Sequence, residues 1–104
     1  MPLYQITRDF TGVTGPDLAA AGIRAKMCMS WCSGLRWIES FYDADREVTT
    51  CIYEAASAED IRLHSEIAAL PCGEIREVEM IRPEDIEEPP LTTLASEDST
   101  ADTA

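Results

Sequence analysis

The segment from Trp37 to Pro71 constrains the fold more than any other part of the chain. It runs Trp37-Ile38-Glu39-Ser40-Phe41-Tyr42, crosses an acidic turn, and continues as Thr50-Cys51-Ile52-Tyr53-Glu54-Ala55. It then reads Ser57-Ala58-Glu59-Asp60-Ile61-Arg62-Leu63-His64. Aromatic and β-branched residues on both sides of a short polar turn specify a β-hairpin. Ser57 with Asp60 three residues later is capping-box-like and opens a helix, which ends near Leu70-Pro71. On the strand from Glu47 to Ala55, Thr49, Cys51, Tyr53 and Ala55 share one face, and Val48, Thr50, Ile52 and Glu54 share the other.

The flanking sequence completes the pattern. A first strand is expected over Leu3 to Asp9, alternating through Tyr4, Ile6 and Arg8. Thr14 is the N-cap of a first helix, with Pro16 and Asp17 in its first turn, and the helix is expected to run through Trp31 and stop before Gly34. The second strand covers Leu35 to Tyr42, and a last strand covers Glu74 to Ile81. The order βαββαβ specifies an α+β, ferredoxin-like fold, with two helices on one face of a four-stranded antiparallel sheet. Such a sheet leaves its other face uncovered, and a homodimer is the simplest way to cover it.

Length and charge bound the rest. The 104 residues suit one domain, read here as 1–83, followed by a tail over 84–104. Beyond Pro83 there are seven acids and no Lys or Arg, so of the net charge of −12 only −5 belongs to the domain. The tail is expected to be acidic and flexible; a sharper reading has it packing on a partner through Leu91 and Leu94. This charge repels phosphate backbones and argues against a nucleic-acid partner. No apolar run approaches the roughly 18 residues of a membrane span, and Met1-Pro2-Leu3-Tyr4 lacks the features of a signal peptide. The expected location is cytoplasmic, without a membrane partner. There the four cysteines are expected as free thiols.

Candidate chemistry is sparse. No nucleophile elbow, glycine-rich phosphate loop or paired Cys/His motif occurs, which favours a non-enzymatic role. His64, the single histidine, lies in the apolar arc of the second helix. It reads either as a buried, hydrogen-bonded structural residue or as a metal ligand or acid/base group. Cys51 is core if its strand face meets the helices, and a ligand or redox-sensitive thiol if that face lines a cavity. Met27-Cys28-Met29-Ser30-Trp31-Cys32 has the donors of a soft-metal site, yet the same residues fill cores well. Cys28 and Cys32, four apart, are expected on one helical face.

The residues just described resemble a family of small ferredoxin-like domains of unknown function grouped around a nickel-binding protein. The resemblance rests on Trp37, Ser40 and Phe41, on Cys51, Tyr53 and Ala55, on Ile61, Arg62 and His64, and on Ile81-Arg82-Pro83. It covers roughly residues 1–83 and implies a dimer and a divalent transition metal such as nickel. It also implies histidines at the end of the first strand and on the first helix. The matching positions hold Arg8 or Asp9, and Gly22. Two functional readings follow. One is a metal-binding homodimer with His64 and Cys51 as ligands. The other is a small-molecule module or enzyme whose cavity between sheet and helices is lined by Tyr4, Trp37, Tyr53 and His64.

Overall fold

In the computed structural model, which describes residues 1–89, four strands and two helices follow the expected order. They are β1 (Leu3–Asp9), α1 (Gly15–Met27), β2 (Arg36–Asp43), β3 (Val48–Glu54), α2 (Ala58–Ile67) and β4 (Ile75–Val78). The strands form one sheet in the order β2-β3-β1-β4, with every neighbouring pair antiparallel. This is the ferredoxin-like α+β arrangement. The tail reading, Leu91 and Leu94 included, falls mostly on residues 90–104, outside the described part.

Strand periodicity decides which side chains the helices cover. On β3, Thr49, Cys51 and Tyr53 are buried and alternate with half-buried neighbours, as a period of two requires. Ile6, Cys51, Tyr53, Ala55 and Ile61 form the core, with Tyr4, Met29, Leu35, Trp37 and Ile75 packed around it. Burying a large apolar side chain of this kind stabilises by about 1.5–3 kcal/mol. Phe41 pairs with Thr50 on the opposite, open face and is 59% exposed.

Three element ends differ from expectation by three residues or more, each for a local reason. First, α1 stops at Met27 and tightens into a 3-10 turn over Cys28–Trp31. There the Ser30 hydroxyl donates to the Met27 carbonyl, the local side-chain bond that competes with helix continuation. Cys28 and Cys32 therefore do not share a helical face. Second, β4 stops at Val78, which pairs with Leu3. The next partner would be Pro2, which has no N–H to offer a ladder, and whose carbonyl instead accepts from Ala55 N. Third, α2 ends at Ile67, and Ala69 turns the chain through a left-handed φ of 54°. Thr14 caps α1 as expected, accepting from Asp17 N. Ser57 occupies the N-cap of α2 without a side-chain bond, so no capping box forms.

The approach to β4 is tight. Gly73 N donates to the Thr7 carbonyl at 3.0 Å, and a Cβ on Gly73 would lie 2.3 Å from that oxygen. On α1, by contrast, a Cβ on Gly22 meets nothing within 4 Å. Two glycine-to-alanine substitutions should therefore have opposite signs. Gly73→Ala is expected to cost about 1–3 kcal/mol through overpacking against backbone. Gly22→Ala is expected to gain about 0.5–1 kcal/mol by restricting the unfolded chain. Urea unfolding midpoints measure both. A neutral Gly73→Ala would contradict the close approach.

Candidate functional site

Between α1 and the sheet lies an open cleft of about 80 Å³, lined mostly by apolar side chains. Because a single water needs roughly 10–15 Å³, this space admits several waters or a small organic group. Leu18, Ala21, Gly22 and Ala25 form the helix wall. They recur at the three- and four-residue spacing that places side chains on one helix face. Trp37, Ser40, Thr49, Cys51 and Tyr53 form the sheet wall, and Arg8 lies in it as well.

A register shift in β2 builds part of that wall. Trp37 pairs with Tyr53, but Glu39 rather than Ile38 pairs with Ile52, so Ile38 is an extra residue. Regular alternation would put positions 37 and 40 on opposite faces. The bulge returns Ser40 to the helix-facing side, where the Trp37 indole N–H donates to its hydroxyl at 2.8 Å. The Trp37 ring stacks on Tyr53, with centroids 6.3 Å apart.

Arg8 is the unexpected member. It is 2% exposed, and burial is rare for arginine. One terminal nitrogen donates to Ser65 Oγ at 2.8 Å and to the Pro71 carbonyl at 2.7 Å, while the other donates to the Tyr53 hydroxyl at 3.2 Å. Among the described residues no carboxylate stands within ion-pairing distance of it; the ion pairs there belong to Arg36, Arg62 and Arg76. Tyr53 is buried beside it. Burial pushes the Tyr53 hydroxyl pKa up, and the neighbouring guanidinium partly offsets that. The signal for Arg8 was present in the sequence, since it continues the inward face of Tyr4 and Ile6. Alternation alone, however, does not tell a buried arginine from a strand end turning to solvent.

The other predicted residues separate. Tyr4 pairs with Tyr53 across the β1–β3 ladder and packs on the core, outside the cleft lining. Cys51 lines the cleft, and its thiol donates to Thr49 Oγ1 at 3.6 Å. His64 is fully buried behind Tyr53, edge-on at 5.8 Å between centroids, and does not line the cleft. Of the positions where the family pattern implies histidine, Arg8 and Gly22 line the cleft, while Asp9 lies exposed and accepts from Thr11.

A carbonyl oxygen only accepts, so the 2.8 Å contact from His64 Nε2 to the Ala25 carbonyl places the proton on Nε2. Nδ1 is then a bare lone pair, buried and without a partner among the described residues. One such nitrogen is a potential metal donor, but a metal needs more. Among the described residues no three His, Cys, Asp or Glu side chains gather closely enough to hold an ion. All four cysteines are free, and burial pushes the Cys32 thiol pKa up, away from the thiolate that ligates. The residues of one described chain therefore do not fit a nickel site.

Burial lowers the His64 pKa below its ordinary value; the positive charge of Arg8 adds to the effect, and the Ala25 bond opposes it. With the folded pKa below the unfolded one, the unfolded chain binds more protons between the two values. Stability is then complete above the unfolded pKa of about 6.5 and is lost as pH falls toward the lowered value. Thermal melts should show Tm dropping from about pH 7.5 to about pH 5.5, and His64→Gln should flatten that slope. An unchanged slope in His64→Gln would refute the assignment.

Sequence comparison with characterised proteins gives no match. The crystal structure of SCO4226 from Streptomyces coelicolor A3(2) is similar in fold, with a TM-score of 0.66 at 21% identity; the alignment covers 77% of this chain and 99% of that one. Residues 4–78 match the family described as nickel responsive protein SCO4226-like. The match takes in β1 through β4, including both walls of the cleft. The chain thus belongs to the SCO4226-like nickel responsive protein family.

Proposed function

We propose that this chain is a non-enzymatic, cytoplasmic homodimeric binding module whose ligand site is the cleft between α1 and the sheet. The observation that carries the reading is the cleft itself. It is apolar and open, it is floored by a stacked Trp37–Tyr53 pair, and a few polar side chains, Arg8 among them, are set into its wall. Small-molecule sites combine these features. The nickel responsiveness in the family's name supports a sensing or sequestering role over a catalytic one. A nickel site built on His64 and Cys51 is the weaker reading, because the two side chains lack a third ligand among the described residues.

The homodimer is supported by the open sheet face. Leu3 and Ile52 lie there half-buried, and Phe41 lies there exposed. A second copy would remove this apolar surface from water. Sedimentation equilibrium should then report twice the 11.5 kDa chain mass, and Ile52→Glu should halve it. A monomeric wild type would overturn the dimer.

The cleft is tested with small aromatic and aliphatic molecules, charged and neutral, at millimolar concentration by amide-resolved NMR. Binders should shift Ala21, Gly22, Thr49 and Cys51, and Gly22→Leu should abolish those shifts by filling the helix wall. Shifts that persist in Gly22→Leu, or no binder at all, would overturn the reading.

A further inference from the structure

The donors and acceptors around the cleft are unbalanced. Among the described residues its lining holds no Asp or Glu, although the chain carries 20 acids. It holds one buried cation, Arg8, whose three hydrogen bonds use three of the five guanidinium N–H groups and reach only neutral oxygens. Three hydroxyls share the lining, and each already accepts: Tyr53 from Arg8, Ser40 from Trp37 and Thr49 from Cys51. No acceptor among the described residues takes the proton of the Tyr53 or Ser40 hydroxyl. The few polar atoms that border the cleft are therefore donors around a positive charge, set into a wall that is otherwise apolar.

A buried charge held only by neutral dipoles keeps much of its desolvation cost. A carboxylate is the group that best offsets it, because it accepts from several donors and matches the planar guanidinium. The remaining lining is apolar and aromatic, and it suits a short hydrocarbon or ring body. Phosphate and sulfate fit poorly, since an apolar wall would leave most of their oxygens unpaired.

Building on the cleft reading above, we infer that the ligand is a small organic carboxylate. Its carboxylate meets Arg8 and the neighbouring hydroxyls, and its apolar body lies against Trp37, Leu18 and Ala21. Binding is non-covalent, with no proton or electron transferred.

Benzoate and its neutral isostere benzamide distinguish the two levels of this claim. Both are titrated into the full chain carrying Trp31→Phe, which leaves Trp37 as the single indole reporter, and cleft amides are followed by NMR in parallel. Benzoate is expected to bind at least about tenfold more tightly than benzamide, since a charge-assisted pair is the difference between them. Arg8→Met should bring the two affinities together, and Gly22→Leu should remove both. If Arg8→Met does not fold, the benzoate-to-benzamide ratio of the wild-type cleft decides alone. Equal or tighter benzamide binding at the cleft would overturn the carboxylate inference and leave the cleft reading standing. Benzoate shifts confined to the surface around Arg36 or Arg76 would overturn it as well. Binding of neither probe would overturn both.

Discussion

Among the described residues, the guanidinium of Arg8 joins more of this structure than any other side chain. From β1 it reaches Tyr53 on β3, Ser65 on α2 and the Pro71 carbonyl in the segment leading to β4. Ser65 in turn donates to the Ile61 carbonyl one helical turn back, so the network runs from the sheet into the backbone of α2. A hydrogen bond to a charged group contributes more than a neutral one. Removing a partner here would leave a buried charge short of an acceptor, and that asymmetry fixes α2 over the sheet in one position.

A second set of contacts ties the two helices together at their C-terminal ends. Arg24 of α1 donates to the carbonyls of Ala68 and Ala69, just past the end of α2. Carbonyls at a helix terminus lack intrahelical partners, and a cation there also meets the negative end of the helix dipole. In the other direction, His64 of α2 donates to the Ala25 carbonyl of α1. The helices thus exchange side-chain bonds at one end, and the cleft opens between α1 and the sheet beside this junction. The wall that Gly22 leaves low is therefore tied directly to α2.

Much of the fold was legible because its signals are local. Alternation along β1 and β3, the turn between β2 and β3, and the cap at Thr14 each depend on residues within a few positions of one another, whereas the capping box expected at Ser57 did not form. Alternation grouped Thr49, Cys51, Tyr53 and Ala55 on one face without saying which way it turned, and the structure makes it the buried one. The site was less legible. Trp37 and Tyr53 do line the cleft, whereas Tyr4 and His64, similar in character, do not. The bulge at Ile38 was invisible to a period-two reading because it depends on how β2 meets β3.

The sequence by itself determined the element order, the strand faces and the concentration of acid beyond Pro83, since these follow from spacing and composition. The tertiary structure alone decided that Arg8 is buried, that its partners lie 45 to 63 residues away in the chain, and that His64 is committed to a carbonyl on the other helix. Those outcomes turn on which distant groups meet in a low-dielectric interior. There a charge or lone pair takes whatever partner the packing supplies, and no local pattern encodes that partner.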